Sequence, residues 1–121
     1  GVVSSHNLLS QKYYDDSINF FKKKLNNPNF HIFTNDIKFA KKILLKQSKN
    51  FKIKYIKYLK LSDIEEFSLF TKYNFSIIAN STFSLMSTYL SSTRKISIAP
   101  KIWLKGKELH SKKKFSKLKF I

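Results

Sequence analysis

Two polar elbows carry the residues best suited to chemistry, Thr34-Asn35-Asp36 and Asn80-Ser81-Thr82. Each follows a short apolar run and precedes a segment of helical spacing. The first turn of a helix offers unbonded N–H groups and the positive end of its dipole, which suits a phosphate. Serine and threonine add hydroxyl donors. The same residue types are the favoured helix N-caps, so capping and phosphate binding both stay open. Asn80-Ser81-Thr82 is also a glycosylation sequon, of consequence only in a secretory protein. Other chemistry finds less support. The adjacent acids Asp15-Asp16 and Glu65-Glu66 point to different sides of their helices, unlike the facing carboxylates of glycoside hydrolysis. The absence of cysteine excludes disulfides, zinc ribbons and thiol nucleophiles, and His6, His31 and His110 lack metal-ligand spacing.

The elements that must hold these elbows alternate along the chain. Tyr14, Ile18, Phe21 and Leu25 form one helical stripe, stopped by Asn26-Asn27-Pro28. "FHIFT" (Phe30 to Thr34) is β-prone. Asn35-Asp36 can cap a helix with Ile37, Ala40 and Leu44 on one face and lysines on the other. "FKIKY" (Phe51 to Tyr55) alternates apolar and lysine, a strand with one wet face near an edge. Ser62-Asp63-Ile64-Glu65 is a capping box that opens a helix to about Tyr73. "FSIIA" (Phe75 to Ala79) is nearly all apolar, as in the centre of a parallel sheet. A helix over Phe83 to Leu90 and a strand "KISIA" (Lys95 to Ala99), ended by Pro100, complete the pattern. The spacing predicts an α/β fold: a single Rossmann-like domain with a mainly parallel sheet, over residues 1–104. Residues 105–121 read as a lysine-rich tail, with Trp103 and Leu104 able to dock just before it and the rest frayed.

At 121 residues and 42% hydrophobic, the chain can close one core. Its formal charge of +17 is almost all lysine, and Arg94 is the sole arginine. Base-reading surfaces favour arginine's bidentate fork, so the charge reads first as a solvated lysine surface. An anionic-membrane or nucleic-acid patch is the alternative. The aromatic residues recur at core spacing rather than as stacking platforms, which argues against nucleic acid. No apolar run reaches membrane-span length, and "GVVSSHNLL" has no charged leader region. A cytoplasmic chain, with peripheral contact at the inner membrane face, is expected.

"FSIIANSTFSLMSTYL" followed by "RKISIAPKIW" resembles the C-terminal hallmark of bacterial α-1,2-fucosyltransferases, glycosyltransferase family 11, in which "IIANSTFSWWGAWL" is followed by "IAPKKW". "HIFTNDIKFAKKIL" is similar to that family's F-x-F-S-D-D-I-x-W-x-K segment. "EEFSLFTKYNFSIIAN" resembles its "DLYLMSLCKHNIIAN" helix and strand, and "SHNLLSQKYYDDSI" the stretch after its N-terminal motif. Together these cover His6 to Trp103 in order. The resemblance implies the C-terminal, nucleotide-sugar-binding half of a GT-B-type enzyme. Such an enzyme transfers fucose from GDP-fucose to a galactose-containing acceptor of a cell-surface glycan, with inversion, no metal and no further cofactor. By position Asn80, Ser81 and Thr82 belong to the donor site, with Ser81 and Thr82 facing the diphosphate. Asn35, Asp36 and Glu66 fall at the nucleotide end, where a carboxylate can accept from the guanine ring N–H and amine together.

Departures from the family pattern are specific. The H-x-R-R-G-D-Y motif, whose arginine neutralises the leaving diphosphate, is absent, and no catalytic residue is assigned. Leu85-Met86 replace the double tryptophan, Ser87 the following glycine and Phe75 the histidine before the strand. Asn35 and Glu66 each stand where the family has aspartate. The charge on a departing GDP would have Lys101 or another chain as its strong partner. The chain is expected to be inactive alone, and a degenerate non-catalytic relative or a basic module binding nucleic acid or anionic membrane are the other readings.

Overall fold

The computed structural model describes residues 10–45, 47, 52–79, 81–103, 107–108 and 118–121. Expectations for His6, Phe51, Asn80, Leu104 and His110, and for the side chain of Trp103, lie outside the described residues.

Helix α1 (Gln11–Lys24) starts where the Ser10 hydroxyl accepts from the Tyr13 N–H, and it buries Tyr14, Ile18 and Phe21 as the stripe requires. The chain turns at Asn27, whose φ of 48° is a left-handed value that asparagine tolerates better than most residues. Strand β1 (Phe30–Ile32) leads through the first elbow into α2 (Ile37–Ile43). Strand β2 (Ile53–Tyr55) pairs with β1 in parallel, Phe30 opposite Ile53. A short 3-10 helix (Ile56–Leu59) and the Ser62–Glu65 capping box then open α3 (Asp63–Thr71), two residues short of the predicted Tyr73. Strand β3 (Phe75–Ile77) leads through the second elbow into α4 (Thr82–Leu90), and β4 (Ile96–Ala99) runs parallel to β3. Strands β5 (Ile102–Trp103) and β6 (Lys107–Glu108) form an antiparallel pair.

The expected frayed tail is corrected at its end. Leu118–Phe120 form β7, parallel to β4 with Ala99 opposite Phe120. The cause is period-two alternation within the lysine-rich run. Leu118 and Phe120 pack on one side of the sheet and Ile121 on the other, while the Lys119 ammonium lies 4.9 Å from the centre of the Phe20 ring.

Two cores flank the strands. Tyr14, Ile18 and Phe21 of α1 and Ala40 of α2 meet Ile32, Ile77 and Ile98 on one face. Phe70 of α3, with Ile56, Ile78 and Ala99, fills the other, and Leu85 of α4 packs against it. The layers are helix, sheet, helix, an α/β domain with parallel strands as the alternation predicted. Hydrogen bonding divides the sheet into β1-β2 and β3-β4-β7. Residues of β1 and β3 line a common cleft of about 230 Å³. Side chains join them instead: the Tyr73 hydroxyl lies 2.6 Å from His31 Nδ1, and Phe33 and Phe70 stack edge to face at 4.9 Å.

Candidate functional site

The elbows end β1 and β3 at the point where their crossovers diverge. After β1 the chain passes into α2 on one face of the sheet; after β3 it passes into α4 on the other. In open α/β sheets that divergence leaves a crevice outside the carboxyl ends of the strands, the usual place for a ligand.

At the first elbow Asp36 is the N-cap of α2, its Oδ1 accepting from the Phe39 N–H at 3.0 Å. The Thr34 hydroxyl accepts from the Asp36 N–H at 3.0 Å and so fixes the turn. Asn35 is exposed, and its carbonyl accepts from Lys57 Nζ at 2.8 Å. Glu66, in the first turns of α3, is half-buried. Burial raises its carboxyl above the ordinary glutamate value, Asp63 adds to the rise, and Lys57 opposes it. Lys57 thus bonds to the first elbow through the Asn35 carbonyl, and its charge is also felt at Glu66. Lys57 is the member that sequence reasoning missed: one lysine among 23 carries no motif, and only the fold of the 3-10 helix singles it out.

At the second elbow Ser81 is the N-cap of α4. Its Oγ accepts from the Ser84 N–H at 3.2 Å and donates to the Ser84 hydroxyl at 2.9 Å. The Ser81 hydroxyl is therefore committed to the cap, the first of the two roles left open for this stretch. Thr82 differs. It is exposed as the first residue of α4, and its N–H and that of Phe83 belong to the turn that has no intrahelical acceptor. This leaves Thr82 as the free hydroxyl of the elbow. Among the described residues no hydrogen bond joins Asn35, Lys57 or Glu66 to Ser81 or Thr82, but Phe67, next to Glu66, meets Phe83, next to Thr82, edge to face at 5.2 Å. Lys101 is exposed and its N–H donates to the Ile121 carbonyl.

Neither elbow gathers metal ligands: among the described residues no three His, Cys, Asp or Glu side chains cluster as a metal site would require. No helix among them is long and apolar enough to cross a membrane. The arrangement can offer acceptors and a cation at one elbow, and a hydroxyl with backbone N–H donors at the other. That combination suits a molecule with a polar base at one end and phosphate at the other.

The family described as "Glycosyl transferase family 11" matches residues 2–120. An alpha-1,2-colitosyltransferase of Escherichia coli is 34% identical over 112 residues, which cover 91% of this chain and 38% of the relative. The chain therefore spans less than half the length of that curated relative. No solved structure matches the chain. With the family matched over nearly every residue, the chain belongs to glycosyltransferase family 11.

Proposed function

We propose that this chain is the donor-binding half of a fucosyltransferase-like enzyme that takes its sugar from GDP-fucose and delivers it in α-1,2 linkage to a galactose-containing glycan. The observation that carries the reading is the pair of elbows that follow β1 and β3, with the Asn35 carbonyl bonded to Lys57 at one and the exposed Thr82 at the other. In this reading Glu66, with Asn35 and Asp36 nearby, meets the guanine end. Thr82 and the first N–H groups of α4 meet the diphosphate, with Ser81 capping the helix and Asn80 assigned to the same donor site. No metal or further cofactor is invoked. The acceptor and the transfer itself belong to the whole enzyme. The relative's name carries a colitosyl rather than a fucosyl group. A cytoplasmic location with peripheral contact at an anionic membrane face belongs to the same proposal, supported by the lysine surface.

Calorimetric titration tests it. GDP is expected to bind more tightly than GMP or guanosine, because the second phosphate adds contacts at the elbow. A hydrogen bond to a charged group contributes about 1.5–3 kcal/mol, so Thr82→Ala should weaken GDP about tenfold to a hundredfold. Equal affinity for GDP and guanosine, or a Thr82→Ala variant that binds GDP as the parent does, overturns the assignment. Titrating GDP-fucose and GDP-colitose side by side decides the sugar.

A further inference from the structure

We propose that Arg94 is a positioning residue for the Ser81–Thr82 elbow, a buried guanidinium that fixes the first turn of α4 against the sheet through Thr88 and Ser84. The inference rests on the nucleotide-binding reading of that elbow and adds to it a residue on the far side of the helix.

Arg94 is the chain's only arginine and is 4% exposed. Every group it bonds is neutral. Its Nε donates to the Tyr73 carbonyl and its Nη2 to the Phe70 carbonyl, both at 2.7 Å. These carbonyls lie at the C-terminal end of α3, where the helix dipole is negative and favours a cation. The Phe70 ring lies 5.2 Å from the guanidinium carbon. Nη1 reaches three hydroxyls, Ser76 and Ser97 at 2.7 Å and Thr88 at 3.2 Å. One planar fork thereby ties α3, β3, β4 and α4 together, which a lysine ammonium cannot reproduce. Burial lowers Arg94 to about 10, so it remains a cation at neutral pH.

The chain of bonds continues from Thr88 towards the elbow. Thr88 Oγ1 donates to the Ser84 carbonyl at 3.2 Å, and the Ser87 hydroxyl donates to the same carbonyl at 2.7 Å. Ser84 is the residue whose N–H and hydroxyl both engage Ser81. The helix between Thr88 and Ser81 is about 10 Å long at 1.5 Å per residue, so the cation is linked to the cap by two consecutive residues of one helix face. A buried cation with no carboxylate is a costly way to fill space. What it supplies that an apolar side chain does not is a fixed register between α4 and the sheet, and that register sets where Thr82 and the free N–H groups point.

The test uses the full 121-residue chain with Arg94→Met, Arg94→Lys and Thr88→Val. Ile18→Val, on the opposite face of the sheet, serves as a control that lowers stability without touching the network. Two readouts are taken well below each melting temperature: GDP affinity by calorimetry, and amide exchange at Ser84 and Leu85, whose N–H groups bond to Ser81. Arg94→Met and Thr88→Val are expected to speed exchange at these two amides at least tenfold beyond Ile18→Val and to weaken GDP about tenfold, with Arg94→Lys intermediate. Wild-type exchange and GDP affinity in a folded Arg94→Met or Thr88→Val variant overturn the proposal. If Arg94→Met does not fold, the near-isosteric Thr88→Val decides by the same criteria. If the parent binds no GDP, the nucleotide reading fails, and the exchange comparison still decides whether Arg94 positions the elbow.

Discussion

Glu66 and Tyr13 show how single side chains divide between function and stability. Glu66 must be ionised to accept from a guanine edge, and burial raises its carboxyl. GDP affinity should therefore fall on acidification sooner than an ordinary glutamate would make it. A raised pKa contributes stability below the unfolded value that is lost as pH rises through the folded one, so acid does not unfold the chain through Glu66. Titrating GDP across this range should give a steep loss for the parent, and for Glu66→Gln a weaker affinity with a flatter profile; unchanged profiles would remove Glu66 from the site. Tyr13 is structural. Its hydroxyl lies 2.6 Å from the Ile78 carbonyl and 3.1 Å from that of Ile98, just inside the elbow strands. Tyr13→Phe should leave the Ile78 carbonyl short of a donor, while that of Ile98 keeps the Ile78 N–H, and cost about 1–3 kcal/mol, read as a lower melting temperature. Glu66 was legible through its place in a family pattern. Tyr13 and Arg94 were not, because a tyrosine on a helical stripe and an arginine after Ser-Ser-Thr look the same whether they face water or the core.

Among the elements, those with local signals were the legible ones. The Ser62–Glu65 capping box forms as read, with both reciprocal bonds in place, and the alternating "FKIKY" becomes an edge strand. The strands are shorter than their apolar runs, because a run reports burial while a ladder requires a neighbour at each position. At Ile78 the bonding continues past the end of β3, its N–H donating to the Ile98 carbonyl at 2.8 Å. Strand β7 was missed for the complementary reason. Its three residues sit in a lysine-rich run, and its pairing with β4 depends on a contact about twenty residues away in sequence that no local pattern encodes. If β7 contributes to the fold as its burial indicates, Phe120→Lys should lower the melting temperature by an amount corresponding to about 1.5–3 kcal/mol, the value of burying such a side chain. The half-buried state of Phe120 places the result at the lower end. A melt indistinguishable from the parent would show that β7 adds little.

On the scale of the whole molecule, charge and sheet architecture act separately. A net +17 spread over lysines should attract any polyanion, yet without the arginine forks that read base edges. Fluorescence anisotropy with two unrelated DNA duplexes should give weak, sequence-blind binding that falls steeply with salt. Discrimination between the duplexes at physiological salt would count against the solvated-surface reading. The division of the sheet has a different consequence. Strands β1 and β2 share a ladder, as do β3, β4 and β7, but among the described residues no ladder joins β1 to β3, and rings and the His31–Tyr73 pair bridge the segments around them. Side-chain contacts of this kind resist separation but give way to sliding more readily than a row of backbone bonds. The boundary is thus a compliant joint, and it runs between the two elbows. Shear along it would change the span between Asp36 and Thr82 while leaving each elbow internally intact. A ligand long enough to touch both elbows would act as a strut across the joint and so fix the aperture of the candidate site.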